Sequence, residues 1–343
     1  MNLQKLASLV IVLFCISCSV KKDLGQKSNT NTDFIIAFGS CNKQYQKNVL
    51  WKEIKKNKPD LWIWGGDNIY SDTDDMVKMW KDYEELNQQE GYLNLVKNIP
   101  VLATWDDHDY GLNDGGKEFV KKKNAQHLFL DFFKVSKDSP RRKQEGIYHA
   151  QLFETKNGSI KVIVLDTRFF RTSLTKSNTK NKRYDPNPYG KGTILGATQW
   201  EWLKEELFNS KADFNIIVSS IQFLSSEHGF ESWGNFTHEV EALKKLIVDS
   251  NAKKVMLLSG DRHISEFSKT LLPNNYPLID FTSSGLTHSY ESFTSEPNKY
   301  RVKNVISQIS FGLLKFDFKN NTIIMEMRGV KNKLQQQYIQ VYP

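Results

Sequence analysis

Six short apolar runs in this 343-residue chain each end in residue types that commonly serve as metal or phosphate ligands. "FIIAFGSC" ends on Cys41, "DLWIWGGDNIY" on Asp67 and Tyr70, and "VLATWDDHD" on Asp106, Asp107, His108 and Asp109. "IKVIVLDTR" ends on Asp166 and Arg168, "NIIVSSIQ" on Gln222, and "KVMLLSGDRH" on Asp261 and His263. Such runs read as β-strands. In open α/β sheets ligands bind beyond the carboxyl ends of the strands, so these residues are expected to converge on one crevice. One such coincidence carries little weight; six constrain the fold.

Between the runs lie helical patterns: near 48–57, across 75–97, near 116–134, from "TQWE" onward, and near 237–249. Thr198 and Glu201 have the spacing of a capping box, which predicts a helix start there. A Gly/Asn/Pro-rich loop covers 172–196, and the C-terminal part is β-rich. The pattern predicts an α/β fold of layered mixed β-sheets flanked by helices, in one domain spanning 33–343.

The N-terminus reads differently. "MNLQKLASLVIVLFCISC" carries Lys5, then an apolar run too short to span a bilayer, then a cysteine. It resembles a bacterial lipoprotein signal over 1–17, cleaved before Cys18 with acylation of that thiol; a plain signal peptide is the simpler alternative. Residues 18–32 are polar and read as a tether. The expected location is outside the cytoplasm, anchored to a membrane by the lipid on Cys18. Ser19 lacks the aspartate associated with inner-membrane retention, which favours the outer membrane by analogy. Of the three cysteines, Cys41 is then the one free thiol, either an inert core residue or a functional one. The net charge of +8 is scattered, with no nucleic-acid motif, and supports only a preference for anionic substrates or lipid surfaces. A monomer is expected.

The donor set suggests chemistry. Four aspartates within "ATWDDHDYGLND" repel one another unless a cation offsets them. Two metals sharing a carboxylate would do so. A thiolate and a phenolate suit a trivalent, strongly Lewis-acidic ion such as Fe3+, and carboxylates suit an oxygen-preferring ion such as Ca2+; Zn2+, Mn2+ and Mg2+ are the alternatives. Such a pair can hold a phosphate oxygen and bring the pKa of water near neutrality for in-line attack. Arg168 is a candidate for holding the remaining phosphate charge.

"GSC", "GGDNIY", "TWDDHD…ND", "LDTRFFR" and "SGDRH" stand in the order found in alkaline phosphatase D-like (PhoD-like) metallophosphatases. The resemblance covers about residues 34–330, and it implies an αββα sandwich of the calcineurin-like superfamily. It implies that Cys41, Asp67, Tyr70 and His263 hold the iron, and that Asp67 bridges to a calcium shared with Asp107 and Asp261. "DDH" lies over the superfamily's "GNH", so His108 takes the place of the acid that protonates the leaving oxygen. The implied activity is phosphate monoester hydrolysis at alkaline pH, with phosphodiester or phospholipid-type cleavage as the near alternative. "DHDYG" departs from the more frequent "DHE".

Plainer roles compete at several positions. Asp106 and Asp109 read as partners that orient the loop and His108 rather than as ligands. Asp166 could cap its strand with Arg168 as its ion-pair partner, Gln222 is a candidate polar contact, and His288 in "SSGLTHS" is a candidate for facing the pocket. His127, His149, His228 and His238 read as structural or surface residues, and Trp233 as a packing anchor. The rival of another class is a non-catalytic surface lipoprotein that binds polyanions or glycans. Sulfate-ester hydrolysis on the same scaffold is a third reading.

Overall fold

Apolar residues on both faces of a strand require cover on both faces, and this chain supplies it with four layers. The computed structural model describes residues 32–343, which form one compact unit. The leader assignment and the acylation of Cys18 lie outside the described residues.

In chain order the elements are β1 (Phe34–Gly39), α1 (Trp51–Lys56), β2 (Leu61–Gly65), α2 (Met76–Asn87), α3 (Glu90–Val96) and β3 (Val101–Thr104). Then come the single turn α4 (Asp107–Tyr110), α5 (Lys122–Phe132), β4 (His149–Glu154), β5 (Ser159–Val164) and a small ribbon of β6 (Thr175–Lys176) with β7 (Tyr184–Asp185). The order continues with α6 (Gly196–Phe208), β8 (Phe214–Val218), α7 (Thr237–Ser250), β9 (Val255–Ser259), β10 (Ser265–Leu272) and β11 (Tyr276–Ser283). It ends with β12 (Arg301–Ile306), β13 (Phe311–Asp317), β14 (Thr322–Arg328) and β15 (Leu334–Val341).

One sheet has the order β15-β14-β13-β1-β2-β3 and the other β12-β10-β11-β9-β8-β5-β4. β1, β2 and β3 run parallel, as do β5, β8, β9 and β11, while the outer strands are antiparallel. The two-residue side-chain period divides each strand between layers. Phe34, Ile36, Phe38, Leu61 and Ile63 of the first sheet meet Val162, Ile216, Leu258 and Phe281 of the second in the central core. Trp62 and Trp64, one residue out of phase, face the other way, where Trp51 of α1 packs edge-on against both with centroids 5.5 Å away. Ile163, Ile217 and Leu257 do the same on the far side, under Leu203 of α6 and Leu243 of α7. The result is an αββα sandwich, as the sequence pattern and the resemblance lead one to expect.

Local details differ from the expectations. The helix predicted across 75–97 is two helices, broken at Gln88–Gln89, where Gln89 turns its side chain to the Trp51 indole N–H and the Gln44 carbonyl. α6 begins at Gly196, not at the Thr198/Glu201 box, and its N-cap makes no side-chain hydrogen bond. The chain entering it is tied instead by Glu239 of α7, which accepts from the Ile194 N–H at 2.7 Å.

Candidate metal centre

Because the central strands of both sheets are parallel, their C-terminal ends open on the same side of the sandwich. Ser40–Cys41 follows β1, Gly66–Asp67 follows β2, Asp106–His108 follows β3, Ser219–Ser220 follows β8, and Asp261–His263 follows β9. β11 adds Ser284. Backbone hydrogen bonds join these ends within each sheet, Asn42 N–H to Asp67 O at 2.9 Å and Gly260 N–H to Ser220 O at 2.9 Å, and between the sheets, Gly285 N–H to Ser40 O at 3.1 Å.

The side chains form three overlapping groups. Cys41, Asp67 and His263 can each present a ligand atom with all three within 4.8 Å of one another; so can Asp67, Asp107 and His108, and so can Asp106, Asp107 and Asp261. Asp67 and Asp107 each belong to two groups. The Cys41 thiol lies 3.2 Å from Asp67 Oδ2 and 3.0 Å from Ser284 Oγ. The Tyr70 hydroxyl donates to Asp67 Oδ2 at 3.3 Å and lies 3.0 Å from His263 Nε2.

This nest is held in unusual backbone. Cys41, Asp67, Asp72, Asp261 and His263 all have φ between 44° and 67°, where L side chains crowd their own main chain at about 1–3 kcal/mol each. Such strain persists only where the surrounding structure fixes it. Asp109 does much of that fixing. Its carboxylate accepts from the Asp67, Asn68 and Asp106 N–H groups and from the Asn68 amide at 2.6 Å, so it ties the turn after β2 to the turn after β3, and none of these bonds goes to His108.

The electrostatics indicate what is needed. Burial pushes the Asp67 carboxyl well above the usual carboxylate range, helped by Cys41, Asp107 and Asp106, with His108 acting the other way. Burial also raises Asp261 to about 7 against the pull of Arg262, and Cys41 to about 11 against the Ser284 hydroxyl. Burial disfavours the charged form of His108, but Asp67, Asp72 and Asp107 outweigh it and raise it to about 11. Asp67 Oδ1 and Asp106 Oδ2 are buried with no hydrogen-bond donor. A buried, unpartnered carboxylate oxygen costs several kcal/mol in order of magnitude. Cations are the partners that fit: the Cys41 thiol and Tyr70 phenol approach Asp67 Oδ2 with the His263 imidazole beside them, and Asp107 joins Asp67 in a second group.

His108 sits on α4, the single helical turn after β3. Both oxygens of Asp72 lie 2.8 Å from its Nδ1, and the Tyr70 ring stacks on it at a centroid distance of 4.0 Å. His288 reaches the same place: its ring is 4.5 Å from His263 and 5.1 Å from Tyr70, and its buried Nε2 has no partner. Asp106 falls among the possible ligands, although Ser220 and Arg168 occupy its Oδ1.

Other expected site residues lie elsewhere. Arg168, a candidate for holding phosphate charge, is fully buried, paired with Asp106 and, at 2.6 Å, with Glu231, which also holds Arg171. This placement corrects the expectation, because two buried carboxylates consume its charge behind the site. Asp166 does cap its strand, accepting from the Trp105 indole and from the Ile147, Arg168 and Phe169 N–H groups, but it does not pair with the Arg168 guanidinium. Gln222 donates to Glu266 and Thr282 inside the second sheet, and its role is structural. Sequence reasoning missed Asp72, Ser284 and Glu231. Asp72 was detectable as an acid just past "GGDNIY"; the other two stand in motifs with no metal-ligand signature.

Asp107, His108, Asp261 and His263 line a cleft of about 420 Å3, walled by Arg183, Phe230, Arg262 and Tyr290. The sequence profile of the PhoD-like phosphatases matches residues 36–321. Alkaline phosphatase D of Bacillus subtilis (strain 168) is 25% identical over 273 residues, covering 67% of this chain and 46% of that protein. The chain thus spans about half the length of that curated relative. The solved structure of PhoD superposes with a TM-score of 0.67 at 19% identity, over 91% of this chain and 69% of the other. GAP50, the anchor in the inner membrane complex of Plasmodium, superposes with a TM-score of 0.58 at 17% identity, over 91% and 90% of the two chains. Likeness at these identities establishes the fold, whereas the profile match extends across all the strand-end motifs that carry the donor set. The chain belongs to the PhoD-like phosphatase family.

Proposed function

We propose that this protein is a metal-dependent phosphoesterase, acting on phosphate monoesters and tethered outside the cytoplasm through an acylated Cys18. The observation that carries this reading is the convergence of three overlapping ligand groups on strained strand ends, with two buried carboxylate oxygens lacking any donor. Cys41, Asp67, Tyr70 and His263 would hold one cation, Fe3+ by the anionic thiolate and phenolate that suit a trivalent, strongly Lewis-acidic ion. Asp67, Asp107 and Asp261 would hold the other, Ca2+ by its preference for carboxylates. Bound there, the cations supply Lewis-acid polarisation of the phosphate and lower the pKa of water.

The chain's own groups do the rest. His108 stands at the cleft with Nδ1 committed to Asp72, which leaves Nε2 to protonate the leaving oxygen. The Tyr70 ring fixes the plane of that imidazole. Asp109 keeps the Asp67 turn in register with the Asp106–Asp107 turn.

A phosphodiester reading has one observation of its own: a second cavity of about 720 Å3 adjoins the cleft, sharing Arg183, Phe230 and Tyr290 with it, and offers room for a second ester group. Turnover of p-nitrophenyl phosphate against its bis-ester, with elemental analysis of the same preparation, tests both readings. The monoester is expected to be the better substrate, and Asp67→Ala is expected to lose bound metal and turnover together. Turnover that persists without metal overturns the mechanism.

A further inference from the structure

The Gly/Asn/Pro-rich loop at 172–196 has no part in the metal centre, yet it places a cation on the rim of the cleft. At the tip of the β6–β7 ribbon, the Arg183 and Tyr184 N–H groups both donate to the Gly229 carbonyl, at 2.8 and 2.9 Å. That anchors the ribbon to the loop carrying Phe230 and Glu231. The Arg183 side chain is 53% exposed and lies 3.1 Å from Asp114 Oδ2, which already accepts from the Tyr184 hydroxyl at 2.6 Å. Asp114 in turn donates its N–H to Asp107 Oδ2 at 2.7 Å. Arg183 is therefore connected to the metal-ligating turn by two polar contacts, with about half of its side chain still open to solvent.

The other arginine of the cleft is spent. Arg262 is held by both oxygens of Glu296 at 2.8 Å and stacks on Phe230, 4.2 Å from the ring centroid. Arg183 is paired more loosely, with Asp114 at 3.1 Å, and its side chain is 53% exposed against 8% for Arg262, so it is the cleft arginine free to take a further anionic partner. With Phe230 and Tyr290 it lines both the inner cleft of about 420 Å3 and the outer cavity of about 720 Å3, and so stands where the two adjoin. A substrate with its phosphate at the metal side and its leaving portion turned toward the outer cavity would lie beside it.

We infer that Arg183 is a specificity-determining residue that recognises a second anionic group on the leaving portion of the substrate. The substrate class is thus an extended phosphate ester bearing a further negative charge beyond the reacting phosphate. This rests on the phosphoesterase reading and narrows it. The physical basis is a charge-assisted, fork-shaped contact in a partly enclosed cleft, worth about a tenfold preference.

The test uses the metal-loaded protein and two matched pairs: glycerol 3-phosphate against 3-phosphoglycerate, and 4-nitrophenyl phosphate against its 3-carboxylated analogue. In the unmodified protein, kcat/KM is expected to favour the charged member of at least one pair, and which pair shows the preference separates an aliphatic leaving portion from an aromatic one. In Arg183→Gln the charged-to-neutral ratio is expected to fall about tenfold, mainly through KM. Arg183→Lys is expected to recover part of that ratio. A carboxylate's effect on intrinsic leaving ability is common to all variants and cancels. A ratio unchanged by Arg183→Gln in both pairs overturns the inference and leaves the phosphoesterase reading standing. Calorimetric titration with the same four compounds reads the contact without turnover, so absence of phosphate release would count against the phosphoesterase reading alone.

Discussion

At the residue scale, His108 shows how a single contact decides a role. A leaving-group acid must keep its proton and present it in one direction, and Asp72 secures both by accepting at Nδ1 with two oxygens at 2.8 Å. Asp72→Asn keeps the shape but loses the charge and offers a competing amide donor. Its kcat is expected to fall about 10- to 100-fold, with metal content by elemental analysis unchanged. Equal kcat in the two proteins would remove Asp72 from the mechanism. Residues of this kind mark the limit of what the sequence discloses. Cys41, Asp67, Tyr70, Asp107, Asp261 and His263 stood out because thiol, phenol, carboxylate and imidazole recur at successive strand ends, and the structure brings them together. Arg168 and Gln222 looked the same in sequence, but their side chains turn into the sandwich and are consumed by Asp106 and Glu231, and by Glu266 and Thr282. Direction beyond a strand end is set by the turn that follows, and one sequence does not specify that turn.

At the scale of elements, the turn after β2 is the tightest joint in the site. Gly66 has φ +98°, and a Cβ there would stand 2.7 Å from the Asp106 Cβ and 2.9 Å from the Ser220 Cβ. Three strand ends from two sheets therefore meet at a point with no room for a methyl group. Gly66→Ala must both strain the backbone and push the Asp67 and Asp106 loops apart. The expected result is a loss on the order of 2 kcal/mol in denaturant unfolding, with a lower metal content in whatever folds. Unchanged metal content at unchanged stability would mean that the loops are free to separate. The elements themselves were mostly legible, because strands buried on both faces read as unbroken apolar runs such as "FIIAF" and "VMLLS". β12 and β15 were not read as strands. They lie at the sheet edges, and "RVKNVI" and "LQQQYIQV" carry polar residues that need only one covered side. The Thr198/Glu201 spacing misled because Glu239, far along the chain, supplies the contact at the helix entrance that a local cap was expected to make.

At the scale of the whole molecule, the layering has a consequence for acid stability that does not involve the metal centre. His149 heads β4 on the edge of the second sheet, donating through Nδ1 to the Ile147 carbonyl, and His228 lies in the loop beneath the outer cavity, accepting the Phe230 N–H on Nδ1. Burial, with Arg141 beside the first and Arg262 beside the second, lowers both from the ordinary 6.5 to about 3. The folded state thus keeps both rings neutral where the unfolded chain would protonate them. Their contribution is complete above pH 6.5 and is lost as pH falls from 6.5 toward 3, because unfolding then takes up two protons. The loss should reach on the order of 2 kcal/mol per histidine by pH 4.5. Acid also acts on the carboxylate nest, so the reading must be a difference between proteins. A His149→Gln/His228→Gln variant carries the same metal centre, and whatever acid does there cancels when the two stability profiles are subtracted. The variant is expected to be the less stable at pH 7.5, where neutral imidazoles fit their sites. Its denaturation midpoint should then fall less steeply between pH 6.5 and 4.5, so that the two profiles approach each other. Parallel profiles across that range would place the acid lability in the metal centre and not in these two buried rings.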